Sequence, residues 1–152
     1  MLHARRQGAF RYSYLITEDG GVPVTTLTQG FRDHAEFELA GVAYRMRMSG
    51  IVRRQALLED PDGRPVAGAD RLGRRSWTVT APGSSHEFER VGLFGTEYAH
   101  VVEGRRVGSI RRTGFWRTGA QADLPALPRP LAVFTFAVAL VTWQQNDAAS
   151  SG

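Results

Sequence analysis

Residues 131–143 run Leu131-Ala132-Val133-Phe134-Thr135-Phe136-Ala137-Val138-Ala139-Leu140-Val141-Thr142-Trp143, thirteen positions without a charge or a turn former. The run follows Leu124-Pro125-Ala126-Leu127-Pro128-Arg129-Pro130, and the fixed φ of Pro130 suits the first turn of a helix. It is too long for an ordinary strand, so the spacing predicts a helix over 130–145 despite the β-branched valines. A helix that is apolar on every side has to be buried on every side or lie in lipid. Thirteen residues rise only about 20 Å, short of the ~20 residues that cross a bilayer. Enclosure by the protein itself is the solution left.

The rest of the chain supplies the enclosure. Ala43-Tyr44-Arg45-Met46-Arg47-Met48 alternates strictly, Tyr44, Met46 and Met48 on one face and Arg45 and Arg47 on the other, as in a half-buried strand. Shorter runs of the same kind are Glu36-Phe37-Glu38-Leu39, Gln55-Ala56-Leu57-Leu58, Ser76-Trp77-Thr78-Val79-Thr80, His86-Glu87-Phe88-Glu89, Glu97-Tyr98-Ala99-His100-Val101-Val102, Arg106-Val107-Gly108-Ser109-Ile110 and Gly114-Phe115-Trp116-Arg117. Gly41, Ser49-Gly50, Pro61-Asp62-Gly63, Pro82-Gly83-Ser84 and Glu103-Gly104 separate them at hairpin spacing. The expected fold is mainly β with one helix: a closed antiparallel barrel of ten to twelve strands around the buried C-terminal helix. Closure removes the exposed edges that so many strands would otherwise leave. Phe134, Phe136, Leu140, Trp77 and Trp143 are the core candidates. Residues 1–9 are expected to be a loose leader and 146–152 a disordered tail, because neither carries hydrophobic periodicity; residues 10–145 form one domain. The leader's charges precede no apolar stretch, so it does not read as a secretory signal.

A strand meander closing on an apolar C-terminal helix resembles the tubby C-terminal-like superfamily, and within it the LURP-one-related and scramblase-like proteins, here in a bacterial relative. The matching features are Tyr44-Arg45, the hairpin Leu57-Leu58-Glu59-Asp60-Pro61-Asp62-Gly63, Trp77-Thr78-Val79, Gly108-Ser109-Ile110 and the helix ending at Trp143. They span about residues 35 to 145. Tubby domains bind phosphoinositides and scramblases act on lipids, so the resemblance implies a phospholipid-facing module.

Several chemistries are excluded by what the 152 residues lack. There is no cysteine, which removes thiolate metal sites, cysteine nucleophiles and the cysteine cluster of scramblases. Glu59-Asp60-Pro61-Asp62-Gly63 lacks the alternate ligand spacing of a calcium loop and reads as a turn. His3, His34, His86 and His100 show no metal-ligand spacing, although His86 and His100 sit where adjacent strands bring them together. Gly92-Leu93-Phe94-Gly95 has neither the glycine spacing nor the strand-to-helix context of a phosphate cradle, and no nucleophile elbow occurs. The expectation is a non-enzyme with no cofactor and no metal.

All 19 basic residues are arginine, against 15 acidic residues, for a formal net charge of +4. Guanidinium groups are planar forks that fit phosphate oxygens. Arg45, Arg47, Arg53, Arg54, Arg105, Arg106, Arg111 and Arg112 are the candidate ligand-binding residues, with Arg71, Arg74 and Arg75 punctuating the same strands. The expected function is recognition of anionic phospholipid headgroups by a cytoplasmic protein peripheral at the inner membrane surface. A structural or protein-interaction domain is the alternative; nucleic acid, for which no motif is present, is not the expected partner.

Overall fold

In the computed structural model, which describes residues 1–7, 13–30, 34–50, 54–114 and 118–151, side-chain alternation sets the architecture. Along Val42–Ser49, Met46 and Met48 are buried while Arg45 and Arg47 face water. The same alternation recurs around the molecule in strands β1 (Leu2–Gln7), β2 (Ser13–Glu18), β3 (Pro23–Gln29), β4 (His34–Leu39), β5 (Val42–Ser49), β6 (Arg54–Glu59), β7 (Pro65–Leu72), β8 (Ser76–Ala81), β9 (Ser84–Arg90), β10 (Glu97–Val102), β11 (Arg105–Thr113) and β12 (Gly119–Asp123), followed by helix α1 (Arg129–Ser151). Each strand pairs antiparallel with the next, and β1 pairs with β12, with Ala4 opposite Ala120, to close the barrel.

Helix α1 fills the lumen, and residues 131–143 are buried without exception. Small inward residues make the room: Ala4, Ala56, Ala67, Ala69, Ala120 and Ala122 are all buried. The helix lies closest to β7, where Ala67 and Ala69 let two backbones approach. Larger side chains fill the remainder, with Trp77 stacked on Phe88 (centroids 4.6 Å apart) and meeting Tyr98 edge-on. Inside the helix the Thr135 hydroxyl donates to the Leu131 carbonyl at 2.7 Å, so this buried polar group is satisfied within its own turn. Phe134, Phe136, Leu140, Trp77 and Trp143 all lie in the core.

Both chain ends differ from expectation. Residues 2–7 of the expected leader form β1, the strand that closes the barrel between β2 and β12. Its apolar signal is faint because its one fully buried residue is Ala4, whose neighbour across the lumen is the helix rather than a deep pocket. Residues 146–151 of the expected tail continue α1. They lack hydrophobic periodicity because they have left the barrel, and Ala148 and Ala149 are strong helix formers. Gly114-Phe115-Trp116-Arg117 was expected as a strand; apart from Gly114, just beyond β11, it lies outside the described residues.

Because the strands alternate in direction, their connections divide between two mouths. Helix α1 enters at one, where the Arg129 guanidinium pairs with Glu18 and the Pro128 carbonyl accepts from Ala132 N at 2.9 Å. Segments 19–22, 40–41, 60–64, 82–83 and 103–104 turn at this entry mouth. The turn over 60–64 is closed by Asp60, whose Oδ1 accepts from the backbone of Asp62 and Arg64 at 2.9 Å each, as the Pro-Asp-Gly sequence predicts. At the opposite end, the exit rim, the chain passes between strands through 73–75 and 91–96, and the C-terminal turns of α1 emerge.

Candidate anion-binding surface

The eight predicted arginines separate into two groups. On the barrel wall, Arg45 Nε donates to Glu36 Oε1 across β4 and β5 at 3.3 Å, Arg47 pairs with Glu59, and Arg106 pairs with Glu97. Arg111 meets its cross-strand neighbour Gln121, whose amide oxygen, turned toward the guanidinium, accepts from Nη2 and Nε at 2.5 and 2.6 Å. These are cross-strand pairs of a solvated sheet, each worth little individually. Arg105 is exposed beside the 103–104 turn at the entry mouth, next to Arg106 at the start of β11. Arg53 lies outside the described residues.

Arg54 and Arg112 belong to the exit rim. Arg54 Nη1 donates to Asn146 Oδ1 at 3.1 Å. Arg112 grips Asp147 with both ends of its fork, Nη1 to Oδ1 at 3.0 Å and Nη2 to Oδ2 at 2.6 Å, and its guanidinium lies 5.6 Å from the Trp143 ring centre. Its side chain is 12% exposed. Trp143 stacks on Tyr98 and donates its indole N–H to the Gly95 carbonyl at 2.6 Å. The emerging helix is thereby tied to β6, β11 and the 91–96 connection.

A hollow of about 220 Å³ opens beside this knot, lined by Arg74, Arg90, Arg112 and Asp147 together with Leu93 and Phe94. Burial pushes the Tyr98 hydroxyl above its ordinary pKa, while the positive charges of Arg90 and Arg112 pull it back. The Nε of Arg90 is buried and has no hydrogen-bond partner among the described residues. Arg74 and Arg75, in the exposed turn between β7 and β8, make no side-chain hydrogen bond or ion pair with the described residues. Sequence reasoning had Arg74 and Arg75 only as punctuation and missed Arg90. The pairing of turn 73–75 with the end of β9, where Arg90 N donates to the Arg75 carbonyl at 2.7 Å, is what unites them.

The two mouths carry opposite charge. Turns at the entry mouth hold Asp19, Asp60, Asp62 and Glu103 against Arg64. The described connections of the exit rim, 73–75 and 91–96, hold Arg74 and Arg75 and no acidic residue. Arg74 and Arg75 thus offer planar forks, without acidic partners among the described residues, to phosphate or carboxylate.

No family model, curated protein or solved structure matches the chain. Among the described residues no group of three or more metal-ligating side chains forms, and no helix is long and apolar enough to cross a membrane. His86 and His100 do meet, ring centres 5.3 Å apart, with His100 stacked on Phe88.

Proposed function

We propose that this protein is a non-catalytic binding domain of the tubby-like kind that docks its exit rim on an anionic phospholipid surface, as a peripheral protein at the inner face of the membrane. The observation that carries the reading is the division of charge between the two mouths. A barrel with acidic turns at one end and, at the other, Arg74 and Arg75 without acidic partners among the described residues is a dipolar body, oriented by a negative surface before contact. Each arginine near such a surface contributes about 1 kcal/mol, weakened as salt rises. The wall arginines, already paired, contribute little; Arg74 and Arg75 are the first to test.

Co-sedimentation with vesicles of phosphatidylcholine alone, or with phosphatidylglycerol, cardiolipin or a phosphoinositide added, measured over a salt series, decides the matter. Binding should require the anionic lipid and fall with salt, and Arg74→Glu with Arg75→Glu should weaken it about tenfold or more. Equal binding to neutral vesicles, or none to anionic ones at low salt, overturns the proposal. A protein-interaction domain is the second reading. It rests on the apolar hollow of about 590 Å³ at the entry mouth, between Val42, Tyr44, Leu58, Val66 and Leu131, and predicts retention of a partner chain that ignores the rim substitutions.

A further inference from the structure

Leu93 and Phe94 are the most exposed large apolar side chains among the described residues, 89% and 84% accessible, and they are adjacent. They form the tip of the 91–96 connection, with Val91 also at the surface. On either side Gly92 (φ 74°) and Gly95 (φ 65°) take the left-handed conformation that glycine alone adopts freely, turning the chain out and back around the pair. The base of this projection is fixed. Val91 N donates to the Glu97 carbonyl at 2.9 Å across its neck, and the Gly95 carbonyl accepts the Trp143 indole. Two large side chains are therefore held in water on a hydrogen-bonded stalk, a cost that no contact among the described residues offsets.

The surroundings point to what relieves it. Arg74, Arg90 and the Arg112–Asp147 pair share a hollow with Leu93 and Phe94, so the base of the apolar tip carries an excess of cationic forks. That order, charge above and hydrocarbon beyond, matches the layering of an anionic bilayer, phosphates over acyl chains. A convex tip of two side chains also fits a deformable apolar medium, whereas a rigid partner would need a socket shaped to it. The entry-mouth turns contain no aromatic residue. We propose that Leu93 and Phe94 are an interfacial wedge that enters the acyl layer of an anionic bilayer when the rim arginines reach its headgroups, an inference that rests on the lipid reading above.

Absence of cysteine permits a direct test. An environment-sensitive fluorophore is attached at Phe94→Cys and, as a control at the entry mouth, at Ser85→Cys, and each is mixed with phosphatidylglycerol-containing vesicles. The label at 94 should shift to the blue and resist quenching by aqueous iodide, while the label at 85 does neither. The unlabelled Leu93→Ser, Phe94→Ser double variant should keep its melting temperature and bind these vesicles about tenfold or more weakly, with little binding left at high salt. If the protein binds but the label at 94 stays open to iodide, the wedge is refuted while rim binding stands. If the unmodified protein binds no anionic vesicle, rim and wedge both fall. A blue shift that grows with protein concentration in the absence of vesicles also refutes the wedge and assigns the tip to a second copy of the chain.

Discussion

His100 is fully buried, stacked on Phe88, with neither ring nitrogen hydrogen-bonded among the described residues. A neutral imidazole tolerates that setting far better than an imidazolium. Burial, and then the charge of His86, holds its pKa below the ordinary histidine value; burial lowers His86 as well. The sign follows from linkage. The unfolded chain takes up these protons first, so the stability the histidines contribute is complete above about pH 6.5 and is lost as pH falls from there through the lower folded-state values. Thermal melts between pH 8 and pH 5 should show a declining midpoint below about pH 6.5, and His100→Leu should flatten that decline. A midpoint that does not move across this window would show that burial does not hold the two imidazoles in their neutral form. From the sequence the meeting of His86 and His100 was legible as a cross-strand geometry; their burial was not, because alternation does not say how deep an inward face lies.

At the scale of the element, α1 carries the fold, and its uncharged run was the clearest signal in the chain. Leu140→Asp places a carboxylate at a position 3% exposed, in a lumen lined by apolar side chains. The cost, about 3 to 5 kcal/mol or more, is comparable to the whole stability of a small domain. The variant should be recovered in inclusion bodies, whereas a soluble protein with a cooperative melt would show that Leu140 does not face the lumen. The strands were less evenly readable. Val42–Ser49 announces itself because methionine and arginine alternate, but β7 and β12 present alanines to the helix, and β3 buries only Leu27 fully. Small inward residues are what a barrel stuffed with a helix needs, and they are also what hydrophobic periodicity fails to register. The site was less legible still. Arginines were visible everywhere, but which had acidic partners depended on register: Arg45 opposite Glu36 and Arg47 beside Glu59 are wall pairs only because β4, β5 and β6 align as they do. Leu93 and Phe94 were read as a failed phosphate loop, since no local pattern distinguishes a turn that hides its apolar residues from one that displays them.

For the molecule as a whole, closure is the condition of stability. Strand β1 is hydrogen-bonded on both sides, to β2 and to β12, so it is the keystone of a ring and not an appended arm. Deleting residues 1–7 leaves two open edges and uncovers one flank of an apolar helix. Such a truncation should aggregate, seen as void-volume elution and dye binding typical of exposed apolar surface, where a monodisperse product would mean that the barrel closes without it. An even number of strands has a further effect. The chain starts at the entry mouth, where the Met1 amine lies 3.4 Å from Asp19, and the helix then runs the length of the lumen, roughly 35 Å over 23 residues, to finish at the exit rim. The two termini stand at opposite poles. A fluorescent protein or affinity tag joined after residue 152 is thus planted beside the proposed contact surface and shields it, while the same cargo joined before Met1 hangs from the far side and leaves that surface bare, so the two fusions are themselves a readout of which pole the protein uses.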